Sequence, residues 1–253
     1  MAYKKKKKNK IDIILPNYNS SRYLEETIKS VVEQTFAHWN LIIVDDFSDK
    51  KTKKILKKFS KNKKIKIFWL KKNRGAGYCR NLAIKNARAP YLAFIDSDDL
   101  WKKDKLETQL RFMENNNYSF TYTSYETFGD KTKYINPPDE FNFEKFINDT
   151  SICTSSMIIK KSIIKDAKFL NTKICEDYFF KCKILQNNSA YCLNDYLTKY
   201  RIRKNSLQAS SLKNFYWIWK INKDFNKLSI FKNLLSLLFI SLSSLKRYGF
   251  KNF

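Results

Sequence analysis

Short apolar runs, Ile11–Leu15, Leu41–Val44, Ile65–Leu70 and Tyr91–Ile95, alternate with stretches whose apolar residues recur at helical spacing. Leu24, Ile28, Val31 and Val32 fall on one helical face of Tyr23–Phe36, Ile55, Leu56 and Phe59 form a second stripe, and Leu82, Ala83 and Ala87 a third. The order β-α-β-α-β-α-β predicts a parallel sheet covered by helices on both faces. Continuous apolar runs are what strands buried on both faces require. Further on, the pattern predicts a helix over Lys103–Glu114 and a strand over Ser119–Tyr125. A loop through Pro137 and Pro138, a strand over Ile152–Ile159, a helix over Glu176–Leu185 and a strand over Tyr191–Tyr200 follow. From Leu212 the chain reads as helical. The expected fold class is α/β, a Rossmann-like, mostly parallel central sheet flanked by helices, with a C-terminal helical extension.

At 253 residues and 43% hydrophobic composition, the chain can bury a sizeable core in one large domain, or one domain with an appendage. Its 50 Lys+Arg against 24 Asp+Glu give a formal charge of +26, which attracts polyanions such as anionic lipid or phosphorylated substrates. A solvated lysine surface is the plainer reading of most of that charge. Sparse arginine and the lack of zinc-finger spacing speak against a nucleic-acid partner. Residues 1–10 read as a basic arm, without the apolar stretch of a signal peptide. The cysteines at 79, 153, 175, 182 and 192 lack CxxC spacing, which fits free thiols in a reducing cytosol.

In an open parallel sheet, ligands gather beyond the carboxyl ends of the strands. Those ends here read "PNYN", "DDFSD", "KKNRGAGYCRN" and "DSDD". Asp96, Asp98 and Asp99 repel one another unless they are wet, paired with cations, or neutralised by a hard divalent ion. A solvated turn with Asp99 or Asp104 capping the next helix is the alternative. Asp45 can accept a hydrogen bond from the ring N–H of a nucleobase, while Ser48 or Asp49 caps the following helix. The turn at Arg74 and Gly75 can offer backbone N–H groups to an anion. Tyr18, held by Pro16, can lie against a flat base.

Together "ILPNYN", "LEETIKSVVEQTF", "LIIVDDFSD", "NRGAGYCRN" and "YLAFIDSDD" resemble the nucleotide-sugar-binding half of the family-2 glycosyltransferases, which have a GT-A fold. Later, "TSICTSSMIIKKSI", "ICEDYFFKCKIL" and "YRIRKNSLQAS" are similar to that family's acceptor-side strand, Glu-Asp helix start and late closing loop. The likeness spans roughly residues 11–210, divided at about Trp101 into a nucleotide-sugar half and an acceptor half. It departs at Phe47, where the family has Gly, at Lys50, where it has Asp, and in the late loop, which lacks the usual His.

The resemblance implies an inverting transfer from a nucleotide-sugar donor, UDP-linked by preference, to a hydroxyl of a glycan or lipid-linked acceptor, as in bacterial capsule or lipooligosaccharide biosynthesis. It implies donor contacts from Pro16, Tyr18, Asn19, Asp45, Arg74, Gly75, Arg80, Asp96, Ser97 and Arg201. Mn²⁺ or Mg²⁺ is expected on Asp98 and Asp96, and a general base at Asp177, with Glu176 as the fallback. A nucleotidyltransferase and a non-catalytic polyanion-binding scaffold are the alternative readings. Residues 211–253 read either as an interfacial helix on an anionic membrane or as a helix packed on the catalytic domain or a partner chain. The expected location is cytoplasmic, peripheral to the inner membrane face, with oligomerisation left open.

Overall fold

The computed structural model describes residues 11–172, 174–203 and 211–248. The basic arm at 1–10 and the 204–210 part of the late loop lie outside the described residues.

The first half follows the alternation in the sequence: β1 (Ile11–Asn17), α1 (Leu24–Val32), β2 (Trp39–Asp45), α2 (Lys50–Phe59), β3 (Ile65–Trp69), α3 (Ala76–Asn86) and β4 (Tyr91–Phe94). The second half adds β5 (Leu100–Trp101), α4 (Lys105–Asn115), β6 (Phe120–Gly129), β7 (Lys133–Ile135), β8 (Glu140–Phe141), α5 (Phe143–Phe146), β9 (Ile158–Lys160), α6 (Glu176–Leu185), β10 (Ala190–Ile202), α7 (Ser211–Asp224) and α8 (Ile230–Tyr248). One sheet runs in the order β3-β2-β1-β4-β9-β6-β10-β5, with β7 on β6 and β8 on β10. Strands β3, β2, β1 and β4 are mutually parallel. β9 joins antiparallel to β4 and β6, and β10 runs parallel to β6. The sheet is therefore parallel where the nucleotide-type loops lie and mixed beyond. Because the chain runs outward from β1 to β2 and β3 and then crosses back past β1 to β4, the strand order reverses between β1 and β4 and opens a crevice at their carboxyl ends.

Alternate residues of β1 serve two cores. Ile11, Ile13 and Leu15 meet Leu24 and Ile28 of α1, Leu56 of α2 and Leu106 of α4. Ile14 meets Cys79 and Ala83 of α3 and Phe180 of α6 on the opposite face. Each such buried Ile, Leu or Phe contributes about 1.5–3 kcal/mol relative to exposure. Val32, assigned to the apolar face by spacing, is exposed. Asp49 caps α2 by accepting from the Thr52 N–H at 2.7 Å. The cap proposed for α4 does not form: Asp104 makes no side-chain capping bond and Asp99 turns inward.

Two further expectations are corrected. The strand expected over Ile152–Ile159 is broken by a 3-10 turn at Thr154–Ser156, leaving β9 only at Ile158–Lys160. The Ser156 hydroxyl bonds the Cys153 carbonyl at 2.7 Å, and the Met157 N–H bonds the Thr154 carbonyl, so local polar bonds replace the ladder. The stretch around Pro137 and Pro138 is no simple loop, since β7, β8 and α5 lie along it.

Gly77 brings α3 against the second half of the chain. A Cβ there would stand 2.1 Å from the Leu170 carbonyl oxygen and 3.3 Å from the Glu176 Cβ. Only glycine lets α3 approach the entry to α6 that closely. The C-terminal helices pack on the domain through Ile218, Ile221 and Ile240. A buried polar contact fastens them: the Tyr178 hydroxyl donates to Asn222 Oδ1 at 2.8 Å, and Asn222 Nδ2 donates to Ser236 at 3.1 Å.

Candidate active site

The site is built from the carboxyl ends of β1, β2, β3 and β4, the 3-10 turn at Thr154–Ser156, the start of α6 and the end of β10. At the first two strand ends, Asn17 Nδ2 donates to Asp45 Oδ1 at 2.7 Å and to the Ser48 hydroxyl at 3.2 Å. Asp45 Oδ2 accepts from the Ser48 N–H at 3.1 Å. Asp45 is fully buried and both its oxygens are engaged inward. Asn19, at φ 47°, bonds Ser48 and Asp49 and so fixes the turn after Pro16 and Tyr18.

The neighbouring Asp46 does something the sequence reading missed. Its carboxylate accepts the N–H groups of Arg74 at 2.7 Å and Gly75 at 2.8 Å. The anion expected at this glycine turn is thus supplied by the protein, and those two N–H groups are not free for a phosphate. The Arg74 guanidinium lies 3.9 Å from the centre of the Tyr78 ring. Three aromatic rings remain about half exposed along this edge: Tyr18 after β1, Phe47 after β2 and Trp69 at the end of β3. Such faces can stack a flat base.

Phe47 holds φ at 63°, a left-handed conformation that disfavours side chains with a Cβ. The turn therefore keeps a glycine-like shape although the glycine is gone. Its ring is half exposed and gains only a cation contact from Lys53 at 5.0 Å. We expect Phe47→Gly to raise stability by about 1 kcal/mol, or about 2–4 °C in Tm, by relieving that strain. Thermal unfolding checks this; a lowered Tm would show that the ring's contacts outweigh the backbone cost.

The three acids after β4 are each neutralised differently. Asp96 Oδ1 pairs with Arg80 Nη2 at 2.6 Å, and the Asp96 N–H donates to the Ser155 hydroxyl at 3.0 Å. Asp98 Oδ2 pairs with Arg203 at 2.6 Å. Asp99 is fully buried; it accepts from the Ser155 hydroxyl and, at 2.8 Å, from the Arg201 N–H. Burial, then Asp98 and Asp96, push the Asp99 carboxyl well above the usual range. Burial also raises Asp98, against the pull of Arg203. Arg201 further donates from Nε to the Asp98 carbonyl at 2.8 Å, pairs with Glu26, and lies between the Tyr23 and Phe128 rings. Ser97 sits half-buried within the turn.

Arg80 joins the two halves. Its Nη1 meets Glu176 Oε1 at 2.6 Å while Nη2 holds Asp96, and the residue is 4% exposed. Burial raises the Glu176 carboxyl despite this pairing. Cys175, at φ 59°, turns the chain into α6. Asp177 Oδ2 then accepts from the Thr154 hydroxyl at 2.6 Å and from Lys181 Nζ at 2.7 Å. Burial pushes the Asp177 carboxyl up, but Lys181 and Thr154 outweigh it and hold the group well below the carboxylate range.

The site residues named from the sequence thus lie at the ends of β1, β2, β4 and β10, at the entry to α3, and on helices α3 (Arg80) and α6 (Asp177). Thr154, Ser155, Asp46, Lys181 and Arg203 were not assigned roles there. The polar residues inside "ICTSSMII" and the i, i+4 spacing of Asp177 and Lys181 were the available signals.

A Rossmann-like half with an acidic turn after its fourth strand, joined to a mixed half carrying Glu176-Asp177, is the architecture of a GT-A sugar transferase. The sequence profile described as Glycosyl transferase family 2 matches residues 12–181. TuaG of Bacillus subtilis, assigned by its name to teichuronic acid biosynthesis as a glycosyltransferase, is 33% identical over 228 residues, covering 88% of this chain and 90% of its own. An Escherichia coli protein, the UDP-Glc:alpha-D-GlcNAc-diphosphoundecaprenol beta-1,3-glucosyltransferase WfgD, is 30% identical over 249 residues, covering 96% and 97%. Among solved structures, S. aureus TarS 1-349 in complex with UDP-GlcNAc superposes with a TM-score of 0.74 at 23% identity, over 94% of this chain and 73% of that one. The chain spans 43% of a longer TarS chain. The chain belongs to glycosyl transferase family 2 and is a glycosyltransferase with a GT-A fold. This membership sets aside the nucleotidyltransferase alternative.

Proposed function

We propose that the chain moves a sugar from a UDP-sugar to a hydroxyl of a glycan or lipid-linked glycan, inverting the anomeric centre. The observation that carries this reading is the Arg80 bridge, which sets the acids after β4 beside the acidic start of α6. Support for the donor and acceptor classes comes from WfgD, named for a UDP-Glc donor and a diphosphoundecaprenol acceptor, and from TarS, solved with UDP-GlcNAc.

In this reading the diphosphate lies against the turn Asp96–Asp99, and the base lies toward Tyr18, Phe47 and Trp69. Asp45 and Asn19 hold the loop that forms the base site, and Pro16 fixes its entry. Arg74, Arg201 and Arg203 supply positive charge near the diphosphate. The acceptor hydroxyl loses its proton to Asp177 as its oxygen bonds the anomeric carbon. The bond from that carbon to the diphosphate breaks, and the electron pair leaves with the nucleotide. A positioned base contributes about 10²–10⁴-fold. The low proton affinity of Asp177 keeps it ionised at neutral pH, and its Oδ1 makes no hydrogen bond to any described residue.

The oxygen donors fit Mn²⁺ or Mg²⁺. Asp96 and Asp98 each keep one carboxylate oxygen outside their arginine pairs. No cluster of three metal-ligating side chains occurs among the described residues. Mg²⁺ commonly takes one or two carboxylates and completes its shell with phosphate and water. Asp98 and Asp96 would hold the ion, which would supply positive charge to the departing diphosphate. A Pyrobaculum calidifontis mannosyltransferase of similar fold, solved with GDP-Man and Mn²⁺, has a TM-score of 0.68.

We expect a screen of UDP-sugars with Mn²⁺ to release UDP with one or two donors. Release falls at least 100-fold in EDTA and in Asp98→Ala. Asp177→Asn keeps donor binding and loses transfer by a similar factor. Normal transfer by Asp177→Asn would reject the base, and equal donor binding with and without metal would reject the ion.

The same reading places the enzyme at the inner face of an anionic membrane. No described helix is long and apolar enough to cross one. Helix α8 nonetheless leaves Ile230, Phe231, Leu234, Leu238, Phe239 and Leu242 exposed, a stripe recurring every four residues. Exposed Lys213, Lys220, Lys223, Lys227 and Lys246 accompany it, and Asp224 is the only acid in residues 211–253. An apolar stripe with surplus lysine fits an anionic headgroup layer. We expect the full chain to float with vesicles containing phosphatidylglycerol, and Leu234→Glu/Leu238→Glu to cut recovery at least fivefold. Absent flotation, together with a dimer by light scattering that this variant splits, would assign the face to a second copy instead.

A further inference from the structure

We propose that Lys181 is a positioning residue for the reaction: its buried ammonium clamps one oxygen of the Asp177 carboxylate and aims the other at the acceptor. This deepens the reading of Asp177 as the base and rests on it.

The geometry is specific. Lys181 is 3% exposed, and lysine is seldom so buried without a partner. Its Nζ donates to Asp177 Oδ2 and to the Ile152 carbonyl, each at 2.7 Å. The Ile152 carbonyl leads into the 3-10 turn whose Thr154 hydroxyl reaches the same Oδ2 at 2.6 Å. Two donors from two elements thus converge on one oxygen. A carboxylate held this way cannot rotate without breaking both bonds, and Oδ1 is left to take a proton. The i, i+4 spacing stacks Lys181 directly behind Asp177 on α6. The ion pair faces into the protein, where replacing lysine with a neutral side chain strands a buried carboxylate.

The other charged and titratable neighbours are few. Arg80, from α3, acts on Asp177 from a distance, and Glu176 adjoins it on α6. The thiols of Cys175 at the entry to α6, of Cys182 on that helix, and of Cys153 beside Lys181 are all raised by burial and stay neutral. Lys181 is therefore the counter-ion that sets the charge state of Asp177. In the transfer step the acceptor O–H bond breaks, its proton passes to Asp177 Oδ1, the new C–O bond forms, and the sugar–diphosphate bond breaks.

The test follows the Asp177 carboxyl carbon by NMR in the full chain labelled with [¹³C]aspartate, between about pH 4 and pH 8. Loss of the signal in Asp177→Asn assigns it. Wild type should show no titration in that window, because Lys181 keeps the group ionised. Lys181→Met should bring its midpoint into the window, at least one pH unit above wild type, whereas Lys181→Arg should leave it out. With the UDP-sugar and acceptor that support turnover, the acid limb of kcat should move with it, and the donor KM should stay within twofold. Lys181→Gln, which retains a donor for the Ile152 carbonyl, should show the same shift and serves if the Met variant does not fold. An Asp177 carboxyl that stays ionised across the window in both neutral variants overturns the proposal. Normal transfer by Asp177→Asn would instead overturn the base reading, while the titration still reports on the pairing.

Discussion

The Arg80 guanidinium is the interaction on which the rest of the site depends. It is buried, and it holds Asp96 of the first half and Glu176 of the second with one planar fork. Burial works against a charged arginine, but the two carboxylates outweigh that cost. Removing one partner from such a buried pair typically costs about 3–5 kcal/mol, because an uncompensated charge remains. The contact exists only because α3 lies hard against the chain entering α6, and Gly77 permits that approach. A backbone choice on one helix thus sets the distance between Asp96 and Glu176, two acidic groups far apart in sequence.

Around that bridge, the protein gives each of its acids fixed partners, cations for Asp98 and Asp177 and neutral donors for Asp99. Asp98 has Arg203, Asp99 has the Arg201 N–H and Ser155, and Asp177 has Lys181. In a chain of formal charge +26 this is a selective use of basic residues, since among the described residues most lysines lie on the surface and only Lys105 and Lys181 are buried. Arginine serves where two acceptors must be held at fixed angles, and lysine where a point charge suffices. The pairs at Asp96 and Asp98 leave the oxygens that the proposed metal ion would take, whereas Asp99 is closed off and shapes the turn.

How much of this was legible in the sequence follows from the physics of each element. β1, β2 and β4 were readable because strands buried on both faces must be apolar throughout, and the acids stood out because they interrupt such runs. Glu176-Asp177 was readable as an acidic helix start. The turn at Thr154–Ser156 was not, because a count of apolar residues cannot tell a ladder from hydroxyls that bond their own backbone. The division of labour between Asp45 and Asp46 was hidden too, since both end the same strand and only the packed turn shows which faces inward. Lys181 resembled any other lysine of a lysine-rich chain until its burial was known. β7 and β8 escaped notice because such short strands owe their existence to β6 and β10, distant partners, rather than to local propensity.

The most direct measurement is the steady-state kinetics of Arg80→Lys, with thermal unfolding as the control for folding. A lysine keeps the charge but cannot hold two carboxylates in one plane. If Arg80 fastens the donor acids to the acceptor helix, this variant folds, loses at least tenfold in kcat, and raises the donor KM. Kinetics indistinguishable from wild type, in protein of unchanged Tm, would contradict the account.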